Sequence, residues 1–289
     1  MLSLDADGFV LLDCSAGKSL TVSEKDYVIG AVMAEIPPSY HTQAIMAQAV
    51  AVHTYAAVLR EQQRENPDAS LNGADLTTDS TTHQGYVSVE QAKEMYGDNF
   101  EVYYQKISEA VEQVWNEILT YDGTPITAVF HAISPGTTES SENIWGKALP
   151  YLVPVASSWD ELASGYQSEA SFTEAQMKST LSQSFTGMDF GQAAKNWFSN
   201  LEYSESGTVL STDVCGKTVT GGEIRTALNL RSAAFEVSFS GGSFTFSVKG
   251  YGHGVGLSQN GADFMARQGK TYREILSHYY PGTEIAVLS

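Results

Sequence analysis

The chain has 289 residues, 42% of them hydrophobic, which is enough to bury a sizeable core, and no run approaches the roughly 18 to 20 apolar residues of a membrane span. Sixteen basic residues against 34 acidic ones give a net charge of −18, with no basic stripe to neutralise phosphates, so nucleic acid is excluded as a partner. Two distant cysteines, Cys14 and Cys215, form no metal-binding pattern and leave two readings open, a disulfide or two inert thiols.

The opening segment, MLSLDADGFV, has neither a basic n-region nor an apolar h-region, so any targeting segment is expected to lie outside this chain or to be absent. Ser23 with Asp26 forms a variant of the capping box, and Val28, Ile29, Val32 and Met33 follow on one stripe, predicting a helix from about 24 to Glu35. Ile36 precedes Pro37 and is disfavoured in the α region, so the helix stops there. A second helix is predicted over about 41–63, with Ile45, Gln48, Val52, Tyr55 and Leu59 on one side. The polar stretch NPDASLNGADLTTDSTTHQG reads as a long loop of the kind that carries function.

Residues 106–118 are predicted helical, and EILTYDGTPITAVFHAIS reads as a hairpin turning on Asp122-Gly123. TEAQMKSTLSQSF and GQAAKNWFSNL are predicted helices, and FEVSFSGGSFTFSV is a hairpin around Gly241-Gly242. Near the C-terminus Thr271 and Glu274 form a capping box, and Pro281 ends the last helix. Helices and antiparallel hairpins are mixed rather than alternating as βαβ units, which predicts an α+β fold. The whole chain, 1–289, is read as one domain, with 160–205 as a helical insertion.

Two places concentrate chemistry. Glu35 is a carboxylate in the last turn of an apolar helix, where the helix dipole and burial both disfavour the anion and raise the pKa, as a general acid near neutral pH requires. The segment GYGHGVGLSQNGA carries glycines at 250, 252, 254, 256 and 261, which let the backbone take positive φ and approach a ligand, with His253 among them. It contains no full G-x-G-x-x-G. No H-E-x-x-H, Walker loop or G-x-S-x-G occurs, so zinc-peptidase, NTPase and α/β-hydrolase readings lack their anchors. Ser134, His131 and Asp160 can be set out as a triad, but nothing local supports one.

In order along the chain, YVIGAVMAEIPPSY, AIMAQAVAVHTYA, FHAISPGTTESSENIWGKALPYLVPV and YGHGVGLSQNGADFMARQGKTYREILSHYYPG resemble the motifs of the stage II sporulation protein D (SpoIID) family, which includes the amidase-enhancer proteins. The resemblance covers about residues 8 to 285. It implies a fold built around a glycan-binding groove and a lytic transglycosylase acting on peptidoglycan strands whose stem peptides a partner amidase has removed. The protein would work in sporulation and forespore engulfment, without cofactor. Glu35 then takes the family's catalytic place, and His253, Ser258, Gln259 and Gly252 of the C-terminal motif, with Ser134 and Glu139 of the central one, are expected to line the groove. A hydrolase needs two carboxylates, whereas this reaction needs one acid.

Where the family has arginine in its alanine-rich helix, this chain has His53, eighteen positions after Glu35, expected to hold the catalytic carboxylate or a sugar oxygen when protonated. Pro135 and Thr137 depart from the family's Ser-Gly-Gly pattern, and Thr77 and His83 stand where some relatives have cysteines, which argues against a metal site there. The alternative within the same resemblance is a non-catalytic glycan-binding module that enhances an amidase. Either way the protein is expected outside the cytoplasmic membrane of a Gram-positive spore former, secreted or held by an N-terminal anchor that this chain lacks.

Overall fold

A computed structural model describes residues 8–14 and 16–288. The chain forms two compact units, Met1–Val129 with Ala262–Ser289, and Phe130–Gly261.

In the first unit, α1 (Glu24–Glu35) has the predicted bounds. Ser23 caps it by accepting the Asp26 amide at 3.1 Å, and Ile36, extended at φ −123° before Pro37, ends it. α2 (Thr42–Glu65) packs against α1, the later helix α4 (Phe100–Glu112) and the C-terminal helix Tyr272–Tyr279. Its fully buried Ala44, Ala47, Ala49, Ala51, Ala56 and Ala57 let those neighbours approach closely. α3 (Val89–Tyr96) lies between the long loop and α4. Strand Phe9–Asp13 pairs antiparallel with Lys18–Val22 and parallel with Leu76–Thr77, inside the stretch read as loop. The helix expected over 106–118 begins earlier and ends at Glu112, because Glu117–Tyr121 is a strand held by Glu284–Val287 on one side and Thr124–Pro125 on the other. Asp122 (φ 48°) and Gly123 (φ 73°) make the predicted turn.

The second unit is built on two antiparallel sheets. Ser243–Lys249 pairs with both Phe235–Ser240 and Gln167–Thr173, and Val209–Val214 pairs with both Phe198–Tyr203 and Lys217–Val219. Helices Glu174–Ser184 and Gly221–Leu228 close a core that includes Met177, Leu181, Trp197, Ile224, Phe244 and Phe246. The predicted helix at GQAAKNWFSNL is absent: one 3-10 turn, Ala194–Asn196, leads into a strand. Trp197 is drawn into the core, stacked 5.5 Å from Phe244, and this packing overrides the helical propensity of the alanines. The stretch 160–205, read as a helical insertion, therefore holds one α-helix between two strands. The molecule is α+β, with helices and antiparallel pairs in both units. Both cysteines are free, Cys14 exposed and Cys215 buried.

Candidate functional site

Glu35 is half-buried at the end of α1, and its Oε1 accepts the backbone N–H of Gly85. Burial raises its pKa above the ordinary carboxylate range, and the Gly85 amide acts in the opposite direction by favouring the anion. The loop that delivers this amide is bolted to both helices. Gln84 donates to the Tyr27 hydroxyl at 2.7 Å and to the Val52 carbonyl at 3.0 Å, and the Tyr86 ring stacks on Tyr27 at 5.7 Å. A Cβ on Gly85 would lie 3.0 Å from Glu35 Oε1, so glycine lets the amide reach the carboxylate. The turn after α1 is held as well, with Lys106 donating to the carbonyls of Pro38 (2.8 Å) and Tyr40 (2.5 Å). The Tyr55 hydroxyl sits in the field of Glu35, which raises its pKa further after burial has done so. Gln84, Gly85 and Tyr55 escape sequence reasoning except through the length of the loop and the helical spacing of Tyr55.

His53 does not reach Glu35. It is fully buried, and its Nε2 lies 2.9 Å from Glu24 Oε2, while Arg60 donates to Glu24 Oε1 at 2.5 Å. Glu24 begins α1 and Glu35 ends it, eleven residues on, which is on the order of 16 Å along a helix. The expectation that His53 holds the catalytic carboxylate or a sugar oxygen is thus corrected: it is bound to Glu24 and fully buried.

In the second unit the two motifs recognised separately in the sequence fold onto one another. Phe130–His131 pairs in parallel with Leu257–Ser258, and Ile133 and Tyr251 exchange backbone hydrogen bonds of 3.0 and 2.7 Å. Two glycines make this approach feasible: a Cβ on Gly250 (φ 78°) would lie 2.8 Å from the Ile133 carbonyl oxygen, and one on Gly252 (φ 113°) 2.7 Å from the His131 Cβ.

Buried Asp160 ties the pair together. It accepts from the Ser134 amide (2.9 Å) and hydroxyl (2.6 Å), the Ser157 hydroxyl (2.9 Å), the Ser258 hydroxyl (2.9 Å) and the Asn260 amide group (3.2 Å). Ser134 and Asp160 do meet, but His131 turns to the Val255 carbonyl instead, so no triad forms. Ser134, Ser258 and Glu139 are fully buried, and Gln259 nearly so. Glu139 accepts from the Ser140 amide and the Asn143 side chain, both at 2.8 Å, and from the Ser204 hydroxyl. Where the sequence reading set Ser134, Ser258 and Glu139 against sugar, the structure gives them protein partners. Asp160→Ala leaves several buried donors unmatched, and a loss of about 2–3 kcal/mol in urea unfolding is expected; a loss under 0.5 kcal/mol would contradict this role for the carboxylate.

His253 is half-buried and accepts the Val255 amide on Nδ1 at 3.1 Å. Its ring lies 5.1 Å from Trp145, which is 50% exposed, and 5.8 Å from His131. Burial first, then His131 and Arg225, push the His253 pKa down to about 3. Burial likewise takes His131 down to about 4, and its Nε2 has no hydrogen-bond partner among the described residues. Both rings are neutral at physiological pH. A histidine held neutral when folded, with an ordinary value near 6.5 when unfolded, contributes stability that is complete above about pH 6.5 and is lost as pH falls toward 4. Wild type should lose up to about 3 kcal/mol more than His131→Asn between pH 7 and 4 in parallel denaturation series; identical slopes would remove His131 as the cause. Among the described residues no group of three or more His, Cys, Asp or Glu is placed to hold a metal ion.

The family described as stage II sporulation protein (SpoIID) matches residues 15–121. The chain is similar to stage II sporulation protein D of Bacillus subtilis (strain 168), 36% identical over 263 residues that cover 91% of this chain and 74% of that protein. The protein of the same name from Bacillus amyloliquefaciens shows the same identity and coverage. The amidase enhancer of Bacillus subtilis is 28% identical over 304 residues, covering 89% of this chain and 40% of that protein.

Proposed function

The chain belongs to the stage II sporulation protein D family, and from that premise we propose that it is a peptidoglycan lytic transglycosylase in which Glu35 serves as acid and then as base. Membership itself supports a cell-wall-related role in sporulation. The observation that carries the finer reading is the half-buried Glu35, protonated more readily than an ordinary carboxylate yet offered one backbone amide. Protonated Glu35 gives its proton to the glycosidic oxygen as the bond from that oxygen to the muramic acid anomeric carbon breaks. The resulting carboxylate, stabilised by the Gly85 amide, takes the proton of the muramic acid C6 hydroxyl. That oxygen bonds to the anomeric carbon, giving a 1,6-anhydro end and restoring the acid.

The exposed rings of Trp145 and Tyr251, beside His253 and Gly252, offer faces on which sugars stack. The amidase-enhancer relative supports a working partnership with a cell-wall amidase, and in the proposed role the protein would act outside the cytoplasmic membrane. Among the described residues no helix is long and apolar enough to cross a membrane.

The test is mass spectrometry of the products that the chain releases from peptide-free glycan strands. Anhydro-muramic ends support the reading, and reducing ends would mean hydrolysis instead. Binding without cleavage would favour a second reading, a glycan-binding amidase enhancer. The departure from the family's arginine at His53 adds no weight to that second reading, since position 53 faces Glu24 and not Glu35.

A further inference from the structure

The arginines of the two units are treated differently. In the first unit all four are ion-paired: Arg60 with Glu24, Arg64 with Glu61, Arg267 with Asp263 and Arg273 with Glu117. The second unit has two, Arg225 and Arg231, and among the described residues neither guanidinium has a hydrogen bond or a carboxylate partner. In a chain with more than twice as many acidic as basic residues, pairing is the easy outcome. Both unpaired arginines instead converge on the glycine-rich segment. The Arg231 guanidinium lies 4.3 Å over the Tyr251 ring, and its backbone carbonyl accepts the Gly252 amide at 2.9 Å. Gly165 (φ 85°) makes room for it, since a Cβ there would sit 2.8 Å from Nη1. Arg225, half-buried on helix Gly221–Leu228, has its carbonyl bonded by the Leu230 amide at 2.9 Å, next to Arg231; its charge acts on His131 and His253, the Tyr251 hydroxyl acts on it in turn, and no carboxylate figures among the charges it feels.

A partly desolvated, unpaired guanidinium is destabilising in the free protein and is matched when a planar anion arrives. The neighbouring groups restrict what that anion is attached to. His131 and His253 are neutral and add polar contacts without repelling an anion, while Tyr251 (47% exposed) and Trp145 present flat apolar faces. Flat rings beside unpaired forks suit a sugar that carries a carboxylate. We infer that Arg225 and Arg231, with Tyr251 and Trp145, form an anion-reading subsite of the second unit that takes the lactyl carboxylate of a muramic acid freed of its stem peptide. The inference rests on the glycan reading of the preceding subsection and names what the protein recognises in that glycan. An amide-linked peptide removes the negative charge from the lactyl group, so the subsite would distinguish stripped from unstripped strands by charge. It would also offset the repulsion between a chain of net charge −18 and an anionic strand.

Calorimetric titration of the full chain carrying Glu35→Gln, which binds the oligomer without cleaving it during the measurement, tests this with two tetrasaccharides: a peptide-free alternating N-acetylglucosamine–N-acetylmuramic acid oligomer, and chitotetraose, which has the same backbone without lactyl groups. That parent chain should bind the muramyl oligomer about tenfold or more tighter. Adding Arg225→Gln or Arg231→Gln should each reduce that preference about tenfold, with the corresponding lysine variants in between. Equal affinity of the parent for the two oligomers, or arginine variants that lose both equally while melting like the parent, would overturn the subsite and leave the transglycosylase reading standing. A parent that binds neither oligomer would overturn both.

Discussion

Glu35→Gln should lower the release of anhydro-muramic ends from peptide-free strands by about 10²–10⁴-fold if Glu35 is the proposed acid and base, the range that general acid–base catalysis contributes. Glutamine keeps the shape and an oxygen for the Gly85 amide, but it carries no proton to give and cannot accept one from the C6 hydroxyl. The pH dependence follows from the direction of the shift. In the proposed role Glu35 would work as an acid only while protonated, and burial extends its protonated range upward, so activity should decline as pH rises through the raised pKa. The same shift makes a stability statement. A carboxyl whose folded pKa is raised contributes stability that is complete below its unfolded value and is lost as pH rises through the folded one. At neutral pH Glu35→Gln should therefore melt at or slightly above the wild-type temperature. Activity retained within tenfold would sink the assignment, and lost activity accompanied by a fall in melting temperature would point to a structural residue instead.

Glu24→Ala should destabilise the protein by about 3–5 kcal/mol, the penalty for leaving one member of a buried ion pair uncompensated. Arg60 is 1% exposed, with its guanidinium 4.6 Å over the Phe9 ring and its Nε 4.0 Å from Glu61 Oε1, so once Glu24 is gone its buried charge keeps only a looser carboxylate contact than the one it lost. His53 loses its Nε2 partner in the same step, having no hydrogen-bond partner on Nδ1 among the described residues. The penalty belongs to the orphaned charge more than to the pair, so Glu24→Leu combined with Arg60→Met should recover most of the stability. Urea denaturation of wild type, the single variant and the double variant measures this. A single-variant loss below 1 kcal/mol, or a double variant no better than the single, would show that the pair does not hold α1 in this way. Because α1 begins at Glu24 and ends at Glu35, the variants also measure how firmly the placement of the Glu35 carboxylate depends on the far end of its helix.

What the sequence alone determined is local. The bounds of α1 follow from Ser23, Asp26 and the Ile36-Pro37 step, and the two hairpin turns follow from Asp122-Gly123 and Gly241-Gly242. Each signal acts over a few residues and needs no distant partner. Glu35 was legible for the same reason, since an acid in the last turn of an apolar helix is conspicuous in one dimension. The overall α+β character follows from counting such segments.

Tertiary structure decided everything that depends on a partner far along the chain. Trp197 belongs to a core that Phe244 helps to build, and it made a strand approach out of a predicted helix. His53 on α2 found Glu24, 29 positions back, rather than Glu35, because both side chains are buried where α2 faces the start of α1. Ser134 and Ser258 read as groove residues in one dimension, yet Asp160, 26 and 98 positions away from them, claims both hydroxyls. Arg225 and Arg231 carry no motif at all. Their significance lies in having no acid opposite them, and which charges stand opposite one another is settled only when the chain has folded.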